Sequence, residues 1–293
     1  MYINAREAIL INLGGIVNKD IAKEVTVRGM KTYEHVHHSM TIMNPMQRFP
    51  FLRERNGNPF AQIAETLWVL AGRDDLDWLE RYIPQCKKWS DDGETWRAGY
   101  GPRLRAWPCE DVFYLEPHIR PVDQIAEVVN KLREDPQTRQ AVVSIWDPAK
   151  DWVEGSKDYP CNNWLHFMIR DGQLHLNVAV RSNDIIYGFS HVDFFCWSVL
   201  QEMIAYWVGV EVGQMTWNAS SFHLYERHLE KAQAICREND IYWNPYENLK
   251  SVPFATQSLE QFDKTMKTLF EIEAEWRGWD WIVTGKQIGR AHV

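Results

Sequence analysis

The chain has 293 residues, enough to bury a substantial core in one large domain or two small ones. Its apolar share of 45% and charged share of 25% are ordinary for a globular protein, and its 15 Trp point to aromatic-lined pockets or interfaces. A net charge of −8 argues against a dedicated nucleic-acid binder, although a few local arginines suffice to hold a small phosphate. At the N-terminus, "MYINAREAILINLGGI" holds an apolar run of signal-peptide length, but Arg6 and Glu7 are badly placed for one and no clear cleavage site follows. No apolar run approaches the roughly 18 residues of a membrane span. His35, His37 and His38 lack nearby cysteine or carboxylate partners, so a strand-borne structural role is expected and no metal. Segment 58–72 reads as a helix, capped by Asn58, with Pro59 in its first turn and Gly72 at its end. Segment 121–136 reads as a second helix and 140–147 as a buried strand.

The clearest local signal is "NWLHFMIRDGQLHLNVAVR". Asp171-Gly172 is a favoured two-residue hairpin turn. Beyond it Leu174, Leu176, Val178 and Val180 alternate with residues that face the other way, Arg181 among them. Segment 193–209 is a strongly apolar helix expected at the centre, and 259–276 an amphipathic helix nearer the surface. Strands and helices mix without regular βαβ alternation, which predicts an α+β fold. A single domain is expected over 1–283, and 284–293 reads as a tail of cloning origin. The five cysteines, Cys86, Cys109, Cys161, Cys196 and Cys236, show no CxxC or Cys/His ligand spacing, so free thiols in a reducing cytoplasm are expected.

Cys161 follows Pro160 and precedes a strand, a placement that can present a thiol to a cleft. A lone cysteine is more often a small buried hydrophobe. Here Arg181, across the hairpin, is placed to lower the thiol's pKa or to hold an anion beside it. Ser182, Asn183 and Asp184 follow directly, and His223 and Tyr225 share one face if that segment is extended.

In order along the chain stand "VRG" (27–29), "AETLWVLAG" (64–72), "YG" (100–101), "LREDPQTRQAVVSIW" (132–146), "PCNN" (160–163), "DGQLHLNVAVRSND" (171–184) and "WNASSFHLYERH" (217–228). Each is weak alone, but the ordered set resembles the thymidylate synthase superfamily over most of its length. The resemblance implies a sheet-mediated homodimer, a nucleoside monophosphate substrate and 5,10-methylenetetrahydrofolate as cosubstrate. It implies that Cys161 is the nucleophile that adds to C6 of a pyrimidine, and that Glu65 organises water and proton transfers. By the same resemblance Arg28, Arg181 and Ser182 hold the nucleotide phosphate, with Arg139 reaching in from a second subunit. Tyr100 and Asn162 line the substrate site, His223 and Tyr225 meet the sugar, and Asp184 and Trp89 meet the folate.

Three departures from the synthase pattern matter. Asn162 stands where thymidylate-forming members have histidine. Arg139 is followed by Gln140 where many members have a second arginine. No asparagine occurs in "GFSHVDFFCW" (188–197), where uracil-specific members read the base. Counting back from His223 by the family's interval reaches Asp193, whereas counting forward from Gly188 reaches Val192. The segment therefore carries one additional residue, expected in the turn before the helix. A carboxylate can accept from the amino group of cytosine but has no donor for uracil O4, although an aspartate there can also simply cap the helix. With "RSND" before "YGF", and "WN" before "HLY", the chain looks more like cytidylate 5-hydroxymethylases, which act on CMP or dCMP, than like thymidylate synthases. Addition of Cys161, transfer of the one-carbon unit to C5 and quenching of the resulting methylene by water would give the hydroxymethyl product. The alternatives are a thymidylate synthase acting on dUMP and a non-catalytic homologue that binds a nucleotide or RNA.

Overall fold

Asp171 and Gly172 both take positive φ, 51° and 74°, the requirement of a type I′ turn. They join two antiparallel strands, β4 (Asn162–Arg170) and β5 (Gln173–Val180). Along β5 every second side chain is buried, so the alternation visible in the sequence is the alternation of the folded sheet. The computed structural model describes residues 1–18, 22–107, 120–249, 253 and 257–277. The expected domain end at 283, the tail 284–293 and Cys109 lie outside the described residues. Cys86, Cys161, Cys196 and Cys236 are free thiols.

The chain divides into two units, Met1–Thr256 and Gln257–Val293. The first is built on a mixed sheet. Besides β4 and β5 it contains β1 (Lys23–Val27), β2 (Met30–Ile42), β3 (Val142–Ser144), β6 (Asn183–Asp184) and β7 (Glu211–Tyr225). The spatial order is β1-β2-β7-β5-β4-β3, with β6 paired to β7. Only the pairings of β7 with β5 and β6 are parallel. The fold is therefore α+β, as expected. The strand expected over 140–147 is confined to Val142–Ser144, because Trp146 and Ile145 both hand their backbone N–H groups to the Asn163 carbonyl and end the ladder.

The apolar N-terminal run forms α1 (Ala5–Val17), capped by Asn4 and buried along Ala8, Ile9, Leu13 and Ile16. Helix α2 (Pro59–Leu70) has its cap at Asn58, whose side chain accepts from the N–H groups of Phe60 and Ala61. It is followed by α3 (Leu76–Leu79) and α4 (Tyr100–Arg105). Helix α5 (Gln124–Glu134) starts at an Asp123 cap and buries Ile125, Val128, Val129 and Leu132 on one stripe. After the short α6 (Pro148–Asp151) comes α7 (Phe194–Val208), ended by Gly209 at φ 78°. Helix α7 is buried almost all round and lies against β5, β7 and α2, the centre of the unit. Helix α8 (Leu229–Glu238) covers α1. The second unit contributes α9 (Leu259–Arg277), where Lys264 and Glu260 pair at 2.7 Å one turn apart. No described helix is long and apolar enough to cross a membrane.

Candidate active site

The segment that leads into Cys161 is held from below by two arginines. Arg103, fully buried, forks onto Asp151 with contacts of 2.6 and 2.7 Å. Arg97 donates to the Lys150 carbonyl at 2.6 Å and the Ser156 hydroxyl at 2.9 Å, and also to the Asp158 carbonyl. Asp158 in turn accepts from Ala98 N–H at 2.9 Å. These bonds place Cys161 at the mouth of β4, directly across the hairpin from Arg181, whose N–H donates to the Cys161 carbonyl at 2.9 Å.

Cys161, Glu65, Tyr100, Asp193 and Trp89 line one cavity of about 270 Å³. They come from α2, α4, the 3-10 turn Cys86–Trp89, the bend before β4 and the segment that runs into α7, and the fold brings all five together. A second cavity of about 380 Å³ shares Glu65, Trp89, Trp96 and Asp193 with the first and continues along Tyr187, His191 and Lys231. Burial pushes the Cys161 thiol up to about 11; Arg181 and Arg28 oppose the rise, while Asp193 and Asp158 add to it. Burial likewise raises Glu65 to about 8, with Asp193 adding to it, and drives the Tyr100 phenol well above its usual value. The site is thus a largely buried pocket in which three acids resist ionisation.

Asp193 reaches this pocket through an unusual element. Residues Ile185–Asp193 form a nine-residue π-helix that runs into α7. The segment expected to turn before the helix is thus itself helical, and a π-helical bond closes over one residue more than an α-helical one. Asp193 itself has helical φ and ψ of −59° and −55° and makes no capping bond. Its carboxylate instead faces two amides. Asn183 Nδ2 donates to Oδ2 at 2.7 Å, and Asn162 Nδ2 approaches Oδ1 at 3.4 Å. Burial raises Asp193 to about 6, and these two amides hold it below where burial alone would put it.

The orientation of Asn162 is set by its other partners. Its Oδ1 accepts from the indole N–H of the fully buried Trp197 at 3.0 Å. An indole only donates, so the amide nitrogen must turn to the Tyr100 hydroxyl, 2.9 Å away, and to Asp193.

Arg28 sits at φ 50° in the tight turn between β1 and β2, with its guanidinium 5.8 Å from the Tyr159 ring. Asp184 uses one oxygen to cap the π-helix at Ile186 and Tyr187. His223 and Tyr225 share a face of β7, as expected, with ring centroids 5.2 Å apart. Burial lowers the His223 imidazole and raises the Tyr225 phenol. Ser182 is half-buried between Arg181 and β6. Arg139 is exposed and lines neither cavity; its carbonyl lies 3.1 Å from His166 Nε2. His35 and His38 pack ring edge to ring face on β2 at 5.3 Å, and among the described residues no cluster of His, Cys, Asp and Glu suits a metal.

Sequence reasoning passed over Asn183, Gly188 and Trp197. Asn183 lay unassigned inside the quoted RSND segment, and Gly188 served only as a landmark for counting. Trp197 carried no signal beyond its apolar helix.

The chain matches the thymidylate synthase family model over residues 10–272. It is 41% identical over 199 residues to the deoxyuridylate hydroxymethyltransferase of Bacillus phage SP01, covering 68% of this chain and 51% of that protein. It is 33% identical over 222 residues to the enzyme of the same name from Pseudomonas phage M6, covering 75% of this chain and 59% of that protein. The namesake from Delftia phage PhiW-14 is 29% identical over 213 residues, covering 69% and 56%. The chain thus spans between half and three fifths of the length of these curated relatives. The extent of the family match, together with the ordered motifs that meet around Cys161, means that this chain belongs to the thymidylate synthase family.

Proposed function

We propose that this protein is a folate-dependent 5-hydroxymethylase of a pyrimidine nucleoside monophosphate, and that the base it is built to read is cytosine, in CMP or dCMP. The observation that carries the base assignment is the Asp193 carboxylate in the Cys161 cavity, held by two amides. An ionised carboxylate accepts from the 4-amino group of cytosine; against uracil it would meet the O4 lone pairs, leaving buried groups unpaired at about 1–3 kcal/mol.

In the reaction, Cys161 bonds to C6 and makes C5 nucleophilic. C5 takes up the one-carbon unit and loses its proton, water adds to the exocyclic methylene, and Cys161 leaves. Nucleotide, methylenetetrahydrofolate and water thus give hydroxymethylnucleotide and tetrahydrofolate. 5,10-Methylenetetrahydrofolate supplies that carbon. The cavity continuous with the Cys161 site, with Trp89, Trp96 and Tyr187 along its wall, fits a flat bicyclic ring. Glu65, held as an acid near neutral pH, is suited to pass protons and orient water. Arg28, Arg181 and Ser182 bind the phosphate, His223 and Tyr225 the sugar, and Asp184 the folate. Arg139 is assigned to the neighbouring subunit's phosphate in a homodimer across the outer sheet face, where Val142 and Trp164 are exposed.

A second reading is hydroxymethylation of dUMP, the activity in the names of the phage relatives. Beside those names, the upward shift of Asp193 to about 6 brings its protonated form within reach just below neutral pH. A protonated carboxyl offers one acceptor and one donor, the pair that uracil N3–H and O4 require.

Incubation with methylenetetrahydrofolate and, in parallel, CMP, dCMP and dUMP separates these by product mass. A hydroxymethyl adduct on a cytidylate is expected. The same adduct on dUMP alone would establish the second reading, and a methyl product with dihydrofolate release would make the chain a thymidylate synthase.

A further inference from the structure

Beyond its bond to Asp193, Asn183 has no role among those assigned so far, yet β7 and the π-helix are both arranged around it. Its side chain is 1% exposed on β6, beside β7, where the sheet fixes its backbone. Its Nδ2 donates to Asp193 Oδ2 at 2.7 Å. Its own Oδ1 is buried with no hydrogen-bond partner among the described residues. Leaving a buried carbonyl unpaired is destabilising, so this amide is poorly explained as a structural strut.

Gly188, in the π-helix, is the second component. A Cβ there would lie 2.6 Å from Asn183 Nδ2 and 3.0 Å from Asp193 Oδ2. Its backbone does not have positive φ, so glycine is needed for room rather than for conformation. Any side chain at 188 would push into the contact between amide and carboxylate.

Arg55, His191 and Lys231 line the wider cavity that includes Asp193, and the acids that face Asp193 are Glu65 from α2, Tyr100 from α4, Cys161 ahead of β4, Asp184 from β6 and Cys196 within α7. None of these five favours a charge on Asp193, whereas an amide N–H does, because it stabilises a carboxylate more than a carboxylic acid. We propose that Asn183, given room by Gly188, is a positioning residue that keeps Asp193 ionised and in one plane, and so sets which pyrimidine the site accepts. The proposal rests on the reading of Asp193 as the residue that faces the base. Releasing the Asn183 donor lets Asp193 take a proton, and a protonated carboxyl pairs with uracil.

The test uses Asn183→Leu, which removes the donor at similar size, and Gly188→Ala, whose Cβ pushes the donor aside while residue 183 stays asparagine. The ionisation of Asp193 is followed by carboxyl-carbon NMR on the ligand-free protein, assigned with Asp193→Asn. Both variants are expected to move its titration upward by about one pH unit. The ratio of kcat/KM for dCMP to that for dUMP is expected to fall at least tenfold, and its pH profile to move with the titration. An unmoved titration, or equal losses on both nucleotides, overturns the proposal and leaves Asn183 a structural residue. If Asn183→Leu does not fold, Gly188→Ala carries the same comparison. Should the wild type act best on dUMP, the cytidylate reading fails, while the shift in ratio still decides the role of Asn183. Should it act on neither nucleotide, the titration alone decides whether Asn183 controls Asp193, and an unmoved one still overturns the proposal.

Discussion

Arg181 reaches back across the hairpin to grip the segment that carries Cys161. Its Nε donates to the Pro160 carbonyl at 2.8 Å, its Nη2 donates to the Tyr159 carbonyl at 3.1 Å, and Nη2 stands 4.0 Å from Cys161 Sγ. Burial is the main reason the thiol sits at about 11, and this arginine is the largest influence against it. Arg181→Ala should therefore raise the thiol further. Alkylation of Cys161 by iodoacetamide at pH 8 should slow about tenfold for each unit of rise. An unchanged rate would mean that the arginine serves only to hold the loop.

Glu65 titrates at about 8 in the fold against an ordinary value of 4.5. A carboxyl raised in this way lends the fold stability that is complete below pH 4.5 and is lost as pH climbs through 8. Replacing it by the neutral Glu65→Gln removes that loss. The variant should gain on the wild type between pH 5 and pH 9 by at least about 1 kcal/mol, or roughly 2–4 °C in Tm. Thermal melts across that range check it, and a constant difference would place Glu65 in contact with solvent. Turnover should fall by about 10²–10⁴ in the same variant if the carboxyl moves a proton.

Asp193→Asn exchanges two acceptors for one acceptor and one donor at the same position. The expected outcome is a shift of preference from cytidylate to uridylate of tenfold or more in kcat/KM. Steady-state assays with dCMP and dUMP measure it. A loss on both substrates with no change in their ratio would remove Asp193 from base recognition.

Arg139 lies exposed, away from both cavities of its own chain. If it serves a neighbouring subunit, Arg139→Ala and Cys161→Ala should each be inactive alone. Mixed and allowed to exchange, they should recover up to about a quarter of wild-type activity, since random pairing assembles one intact site in half the dimers. No recovery under exchanging conditions would confine each site to one chain.

Much of the local structure was legible without coordinates, because it depends on short-range chemistry. Asn58 and Pro59 announced α2, and the Asp171-Gly172 turn with its alternating flanks fixed the hairpin and the side on which Arg181 emerges. The order of short motifs around Cys161 was enough to name the family.

What the sequence by itself determined, then, was the set of parts: a thiol before a strand, an arginine across from it, and a glutamate on an apolar helix. The tertiary structure decided their chemistry. Helices α2 and α4 and the π-helix leading into α7 bring Glu65, Tyr100 and Asp193 to one cavity with Cys161, and burial there is the main reason Cys161, Glu65 and Asp193 leave their ordinary values. That Asp193 lines the pocket and makes no capping bond goes with the π-helix Ile185–Asp193 that runs into α7. The amides that face Asp193 come from β4 and β6, 31 and 10 residues away in sequence. No local pattern encodes such contacts, because they arise from packing between elements rather than from spacing within one.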